Sequence, residues 1–277
     1  MKLSIMLFPF HGGIVSGDLT PGGLVEQFSG AGITALEPML GNLDAEPKWA
    51  ELLQLAKQAG MKFSCLDVGV NFIGESAADR EAAMETVKRG LNFCAELECP
   101  VALLPGTRPA PGMSNEEGRK IYAEGLAKAA VLAKPLGITT CIEDFGVYPA
   151  FACHSKDVLE VVTLAGPDTK VTWDNGNFIL ADEMPMDAIP PLWDRTCHVH
   201  IKDFKLDETG QAGLKTPSGK AYKGIRMGEG DCQITECVTE LKRRNYGGWI
   251  SLEVGIAPPV DDALVGAEVV RKAWDGA

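Results

Sequence analysis

The sequence predicts a single (β/α)₈ TIM barrel that spans residues 1–277, with its active site at the carboxyl ends of the strands. Eight short apolar runs alternate along the chain with longer amphipathic runs of helical period, as expected for parallel strands joined by helices. The length of 277 residues also suits one barrel. A doubly wound sheet is the main alternative, but eight similar units fill the chain without a linker.

The predicted strands are short and apolar, and the predicted helices carry one apolar face. The strands are Leu3–Phe8, Thr34–Pro38, Lys62–Asp67, Val101–Leu104, Thr139–Glu143, Val171–Asp174, Cys197–Ile201 and Trp249–Val254. The helices are Gly23–Ala31, Pro47–Ala59, Ala77–Glu98, Asn115–Lys134, Lys156–Ala165, Ile234–Arg244 and Asp261–Ala273. Another segment, Met186–Leu192, is a weaker helix because Pro190 and Pro191 should stop it early.

Composition and charge exclude several classes of protein. Hydrophobic residues make up 45% and charged residues 23%, as in ordinary globular proteins. The net charge of −12 repels phosphate backbones and anionic lipid, so neither nucleic acid nor a membrane is an expected partner. The apolar run at the amino terminus ends at Pro9, too early for a signal peptide, and predicts a buried strand instead.

The eight cysteines are scattered and form no C-x-x-C pair. Most lie in apolar runs, which favours buried free thiols in a reducing compartment. We therefore expect a cytoplasmic protein. A homo-oligomer is compatible with the sequence, which does not decide the oligomeric state.

The loop lengths indicate which end of the barrel carries the site. Helix-to-strand connections are tight, whereas strand-to-helix connections are long, and barrel enzymes build their sites from the latter. The longest, Lys202–Gln233, is polar and turn-rich, and we expect it to fold over the mouth as a lid.

Polar residues end four consecutive predicted strands: Glu143, Asp174, His200 and Glu253. Side chains alternate faces along a strand and neighbouring strands lie ~4.8 Å apart, so the four can converge on the barrel axis. A single carboxylate at a strand end is usually a cap or a surface charge, but four in register are hard to explain that way. Three carboxylates together favour a divalent cation, Mn²⁺ first and Mg²⁺ or Co²⁺ otherwise, over a structural zinc.

Four other residues are candidates for substrate contact. Lys202 shares the inward parity of His200, and either contacts substrate and stabilises an enolate or forms a salt bridge at the strand end. Glu37 ends the second strand, His11 follows the first, and Arg226 lies in the lid. His198 is expected deeper in the barrel, as a core histidine.

The second half of the chain resembles the xylose-isomerase-like barrel superfamily, within the sugar phosphate isomerase/epimerase group, while the first half matches in pattern only. The resemblance rests on Ile142-Glu143-Asp144, Trp173-Asp174-Asn175-Gly176-Asn177, His198-Val199-His200-Ile201-Lys202-Asp203, Gly228-Glu229-Gly230-Asp231 and Tyr246-Gly247-Gly248-Trp249-Ile250-Ser251-Leu252-Glu253. It implies metal ligands at Glu143, Asp174, His200 and Glu253, with Glu143 and Glu253 as the acid/base pair.

One position departs from the family pattern. Many ketose epimerases of the family carry a substrate-binding histidine three residues after the aspartate, where this chain has Asn177. An amide can hold a substrate hydroxyl but carries no charge near neutrality, so the ketose 3-epimerase activity does not transfer directly.

These residues suit a metal-dependent carbohydrate isomerase or epimerase. A bound cation stabilises the enediolate of a small sugar or keto-polyol, and a glutamate on either face moves the proton. Loss of a β-substituent from the same species makes a dehydratase or lyase the alternative. A nuclease like the AP endonucleases is disfavoured by only four histidines and the charge of −12. A non-catalytic sugar-binding barrel would leave the glutamate pair without a role.

Overall fold

The computed structural model describes residues 1–277, and its twelve strands fall into two sheets. The strands are β1 (Lys2–Met6), β2 (Ala35–Glu37), β3 (Lys62–Phe63), β4 (Leu66–Asp67), β5 (Val101–Leu103), β6 (Thr139–Glu143), β7 (Thr169–Asp174), β8 (Thr196–Ile201), β9 (Phe204–Leu206), β10 (Leu214–Lys215), β11 (Ala221–Gly224) and β12 (Trp249–Leu252).

Nine parallel segments form the larger sheet, in the order β3-β2-β1-β12-β8-β7-β6-β5-β4. Its two outer members, β3 and β4, are two parts of one predicted strand separated only by Ser64 and Cys65, so the sheet closes on itself. First and last barrel strands pair directly, with Lys2 opposite Trp249. The predicted eight-stranded TIM barrel is therefore confirmed, and each barrel strand lies within two residues of its predicted bounds.

Twelve helices accompany the strands. They are α1 (His11–Ser16), α2 (Pro21–Gly30), α3 (Leu40–Ala45), α4 (Lys48–Gln58), α5 (Ala77–Leu97), α6 (Asn115–Ala133), α7 (Pro149–Ala152), α8 (Ser155–Ala165), α9 (Asn175–Leu180), α10 (Pro185–Leu192), α11 (Ile234–Arg243) and α12 (Pro259–Asp275). The predicted helices are all present, whereas the short α1, α3, α7 and α9 in strand-to-helix loops were not predicted. No helix combines the length and apolar character needed to cross a bilayer.

The helix α10 continues to Leu192 despite Pro190 and Pro191. Each proline lacks an N–H that would bond four residues back. Because the helix has only eight residues, the two missing bonds fall near its carboxyl end. The expected early stop is therefore wrong.

The barrel wall separates an apolar outer layer from a polar interior. Ile142, Val199 and Leu252 point outward and are buried under the helices in the main hydrophobic core. Ser4 and Ser251, by contrast, are buried in the centre, where their hydroxyls lie 3.3 Å apart. This alternation places the polar side chain at each strand's carboxyl end over the barrel axis.

The predicted lid forms a small antiparallel sheet in the order β10-β11-β9. Asp203 holds its base, because its carboxylate accepts from the backbone N–H groups of Gly228 and Gly230, both at 2.9 Å. Its tip is tied to the loop after α9, where Ser218 donates from its N–H (2.8 Å) and hydroxyl (2.6 Å) to Asp182. The segment is thus ordered at both ends.

All eight cysteines are free thiols, and seven are buried. Burial raises the pKa of the thiols of Cys153 and Cys237, which keeps them protonated and unreactive. The expectation of buried free thiols is met.

Candidate active site

A pocket of about 250 Å³ opens at the carboxyl ends of the barrel strands. Its floor carries the carboxyl groups of Asp67, Glu143 and Glu253, and aromatic side chains such as Phe8 and Phe145 form part of its wall. The volume falls just below the ~300–1,000 Å³ usual for ligand pockets, which suits a small substrate.

The structure brings together the four residues predicted to bind a metal. Glu143 ends β6, Asp174 ends β7 opposite His200 of β8, and Glu253 follows β12. One potential ligand atom from each lies within 4.8 Å of the others. All but Glu253 are buried, and the Glu253 side chain is only 14% exposed.

The His200 imidazole lies at the centre of this cluster. Its Nδ1 is 2.8 Å from Glu143 Oε1 and 3.6 Å from Glu253 Oε2. Burial opposes a positive charge on the ring, but the neighbouring Glu37 and Glu143 outweigh it and hold the pKa of His200 well above its usual value. A cation could bind at Nδ1 only if the ring gave up the proton there.

Glu37 lies beneath His200 and not in the pocket. Its Oε1 is 2.9 Å from His200 Nε2, and its Oε2 is 3.0 Å from His198 Nε2. Burial opposes its ionisation, yet the two histidines lower the pKa of Glu37 well below normal. A carboxylate on the far nitrogen of a metal-binding histidine fixes its tautomer and raises its basicity. This geometry supports a positioning role, and not the predicted sugar contact; His198 is buried in the core, as expected.

Lys202 lines the pocket and is paired with two carboxylates. Its Nζ lies 2.8 Å from Glu253 Oε1 and 2.9 Å from Asp174 Oδ2. Although burial disfavours the ammonium, Asp174 and Glu253 raise the pKa of Lys202 well above normal. A Cβ at Gly176 would collide with the Lys202 side chain, so glycine at this position leaves room for the lysine side chain to lie across the strand end. The predicted salt bridge of Lys202 is present, and the other alternative, contact with substrate or stabilisation of an enolate, stays a prediction for a residue that lines the pocket.

Asp174 caps the helix that follows it. Its Oδ1 accepts from the N–H groups of Gly176 (2.8 Å) and Asn177 (3.1 Å), and Asp144 in turn accepts from the Asp174 N–H (2.9 Å). Burial raises the pKa of Asp174 to about 8, against the opposing charge of Lys202.

The second oxygen, Asp174 Oδ2, is buried and lies 2.9 Å from Lys202 Nζ, so an ammonium group is its partner in this structure. It belongs to the cluster with Glu143, His200 and Glu253, whose donors are three carboxylates and one imidazole. Three carboxylates gathered around one imidazole in this way are a donor set that fits a divalent cation. These four residues could therefore hold one.

The predicted substrate-binding residues are not all at the pocket. Asn177 and Lys202 line it. His11 is turned aside, where its Nδ1 accepts from Trp49 Nε1 at 3.1 Å. Arg226 lies in the turn before Glu229, whose N–H donates to the Arg226 carbonyl at 3.1 Å, and neither side chain lines the pocket.

Sequence reasoning missed Asp67, which ends β4 and lines the pocket. Asp67 is the last residue of a predicted strand, as Glu143 is, so the rule that selects polar residues at the carboxyl ends of strands could have found it. Met6, Met39 and Leu103, also missed, add apolar wall to the same side.

Comparison with known proteins gives one family match and several similar chains. The profile described as "Xylose isomerase-like TIM barrel" matches residues 25–273. An inosose dehydratase of Clostridium botulinum is 25% identical over 171 residues, which cover 57% of this chain and 55% of the dehydratase. The L-ribulose-5-phosphate 3-epimerase UlaE of Shigella flexneri is 24% identical over 209 residues, covering 75% of this chain and 68% of the epimerase.

The fold also matches solved structures. The IolI protein, whose structure holds a zinc atom, superposes with a TM-score of 0.77 at 15% identity and covers 100% of this chain and 99% of its own. At this identity the likeness shows the fold alone. The chain spans little more than half the length of the inosose dehydratase it matches.

Proposed function

Because this chain belongs to the xylose isomerase-like TIM barrel family, we propose that it is a divalent-metal-dependent carbohydrate isomerase or epimerase acting on a small sugar or keto-polyol. The observation that carries the proposal is the pair of glutamates, Glu143 and Glu253, which line one pocket and cluster with Asp174 and His200. The UlaE epimerase among the similar proteins supports the same reaction class.

The proposed metal ligands are Glu143, Asp174, His200 and Glu253, with Mn²⁺ as the proposed ion and Mg²⁺ or Co²⁺ as alternatives. A cation held there would polarise the substrate carbonyl and make the neighbouring C–H more acidic. Glu37 would keep His200 oriented, since it accepts from the far nitrogen of the ring.

The proton transfers are assigned to Glu143 and Glu253. One carboxylate takes the proton from the carbon beside the carbonyl, and the other carboxyl group returns a proton to the opposite face or to the neighbouring carbon. The first outcome is epimerisation and the second is aldose–ketose isomerisation. Lys202 holds Glu253 through a contact of 2.8 Å, and the neighbouring Lys202 and His200 charges keep the pKa of Glu253 below normal although burial opposes this. The carboxyl group of Glu253 is therefore ionised near neutral pH, as a proton acceptor must be, and its acceptor strength depends on the charges that remain beside it.

A second candidate is a dehydratase on a keto-polyol, favoured by the similar inosose dehydratases. The first step is the same proton removal. The β-hydroxyl then leaves, taking a proton from the carboxyl group that would otherwise protonate carbon, and is released as water. Because both candidates share the first step, they differ in whether the β-hydroxyl is kept or lost.

The test follows a panel of ketoses, ketose phosphates and inososes in deuterated water by NMR, with Mg²⁺-loaded protein. We expect a product that carries solvent deuterium on the carbon beside the carbonyl and keeps every hydroxyl. An unsaturated or deoxygenated product would assign the dehydratase. If no member of the panel showed deuterium exchange or turnover under Mg²⁺, Mn²⁺ or Co²⁺, both candidates would be rejected.

A further inference from the structure

The Asp67 carboxyl group is buried in the pocket without a partner. Asp67 ends β4, is only 2% exposed and lines the pocket floor. Neither Oδ1 nor Oδ2 has a hydrogen-bond partner. Its backbone N–H, by contrast, donates to the Pro38 carbonyl at 2.9 Å, so the main chain is fixed while the side chain is unsatisfied. A buried unpaired carboxyl group costs folding free energy, and such a cost is typical of a group that binds a ligand.

The pocket around Asp67 restricts what that ligand can be. Glu143 and Glu253 make the floor acidic, and the only ammonium that lines the pocket, that of Lys202, is already paired with two carboxylates. With a cation held by Glu143 and Glu253, a phosphate or carboxylate at the Asp67 end of the pocket would still find no free ammonium or guanidinium group to pair with. Met6 and Met39 nearby offer no hydrogen-bond donor. The missing partner is therefore a neutral group that can donate, such as a hydroxyl.

Asp67 is separate from the residues proposed to hold the metal. It is not a member of the four-residue cluster, and it lies on β4, whereas the cluster lies on β6, β7, β8 and after β12. A substrate whose carbonyl end meets the cluster would extend its other carbons toward the wall that carries Asp67.

We propose that Asp67 is a hydroxyl-binding residue for the end of the substrate remote from the reacting carbons, and that the substrate is a neutral polyhydroxy ketone without phosphate or carboxylate. The inference rests on the proposed function and names its substrate class. Burial, with the nearby Glu37 charge, raises the pKa of Asp67 well above normal, so the group offers one O–H donor and one acceptor. Two neighbouring hydroxyls of a polyol match that pair.

A rival arrangement exists next to the pocket. A groove that shares Val147 with the pocket carries Arg108 and Lys215, and a phosphorylated substrate would direct its phosphate there. This groove is open to solvent, whereas Asp67 is buried and unpartnered. Binding of a sugar phosphate, compared with that of the neutral polyol, therefore distinguishes the Asp67 arrangement from one that uses this groove.

The experiment measures binding of non-reacting polyols to metal-loaded protein by calorimetry, so no turnover is required. Sorbitol and myo-inositol are the neutral probes, and sorbitol 6-phosphate and gluconate are the anionic ones. We expect the neutral polyols to bind more tightly than the anionic ones. Asp67→Leu should weaken neutral polyol binding by ~10-fold or more, the equivalent of one or two lost hydrogen bonds. Asp67→Asn, which keeps one donor and one acceptor, should stay within ~3-fold of the wild type.

Thermal melting of the ligand-free, metal-loaded variants gives a second readout. Asp67→Leu removes an unsatisfied carboxyl group and should raise the melting temperature by ~2–4 °C. Asp262→Leu is the matched control: Asp262 is equally buried, but it accepts from Met227 N–H at 3.1 Å outside the pocket. That variant should melt lower and keep the wild-type polyol affinity.

Three results would overturn the proposal: no binding of neutral polyols by the wild type, unchanged polyol affinity in Asp67→Leu, or tighter binding of sorbitol 6-phosphate than of sorbitol. They are distinguishable from failure of the proposed function. Polyols that bind through Asp67 without any exchange or turnover of the ketone panel would uphold the residue assignment and reject the reaction. Turnover that is unaffected by the Asp67→Leu substitution would uphold the reaction and reject the role assigned to Asp67.

Discussion

The two halves of the barrel wall contribute different things to the pocket. The strands of the second half, β6, β7, β8 and β12, bring the acidic and imidazole groups that cluster within 4.8 Å. The first half, from β1 to β5, brings mainly apolar surface, such as Met6 and Leu103. Its two acidic residues do not join the cluster: Glu37 supports His200 from below, and Asp67 faces the pocket alone. Under the proposed function, the second half of the barrel wall would form a reactive arc, and the first half would orient His200 and shape the pocket.

Loss of either glutamate from the reactive arc should have the largest effect. Glu143→Gln and Glu253→Gln keep the side-chain size but remove the basic carboxylate. We expect each to lower the rate at least ~10²-fold, the usual contribution of a general acid or base. The two losses should not add in the double variant, because both residues act on one enediolate. Steady-state rates on the reactive ketone, with circular dichroism to confirm folding, are the measurement.

Glu160→Gln is the control for this pair, since Glu160 pairs with Arg119 at 2.9 Å, away from the pocket. Its rate should equal that of the wild type. Wild-type turnover by both pocket variants would show that the reactive arc does not perform the proton transfer.

Removing the carboxylate of Glu37, in the first half of the barrel wall, should lower the affinity of the protein for the metal. Glu37→Gln leaves a side chain of the same size but removes the charge facing His200 and His198. We expect the affinity for Mn²⁺ to fall ~10–100-fold, as for other supporting partners of a histidine ligand. Titration of the chelator-stripped protein, followed by Mn²⁺ electron paramagnetic resonance, measures this.

The matched control is Glu183→Gln, because Glu183 also faces a histidine, His154, at 3.2 Å but outside the site. Its Mn²⁺ affinity should be unchanged. Equal affinities in Glu37→Gln and the wild type would mean that the first half of the barrel does not support the metal.

The smallest effect should come from the apolar wall. Met39 lines the pocket beside Asp67 and is only partly buried, so Met39→Ala enlarges the pocket at little cost in folding. We expect KM to rise a few-fold, on the order of ~1 kcal/mol of lost apolar contact, with kcat nearly unchanged. Met84→Ala, far from the pocket, is the reference. A fall in kcat that exceeds the rise in KM would show that the first half of the barrel wall also takes part in the reaction, against the division drawn above.

The same division explains how much could be predicted from the sequence. In the second half, a polar residue ends each of four adjacent apolar strands, so strand parity alone predicts the convergence of Glu143, Asp174, His200 and Glu253. Glu37 also lies near the carboxyl end of its predicted strand, but its carboxylate is taken up by His198 and His200 and does not line the pocket, which strand spacing does not predict. Asp67, by contrast, ends the predicted strand Lys62–Asp67, so the rule that selected Glu143 could have selected it as well.

Loop residues were less predictable for a different reason. His11 and Arg226 follow strands, and a loop's direction depends on tertiary contacts that periodicity does not encode. His11 begins α1 and bonds Trp49, 38 residues away in sequence. The base of the lid is set by Asp203, whose carboxylate gathers the N–H groups of Gly228 and Gly230 and leaves Arg226 outside the pocket.

The pairing of β1 with β12 has a consequence during synthesis on the ribosome. Lys2 finds its partner Trp249 only after nearly all of the chain has been translated, so the first strand waits with one edge unpaired. The strand that covers this edge also delivers Glu253, whose N–H donates to Ile201 at 2.9 Å. Until β12 is translated, a nascent chain thus holds at most three of the four cluster residues, and the strand that closes the barrel also completes the proposed cation site.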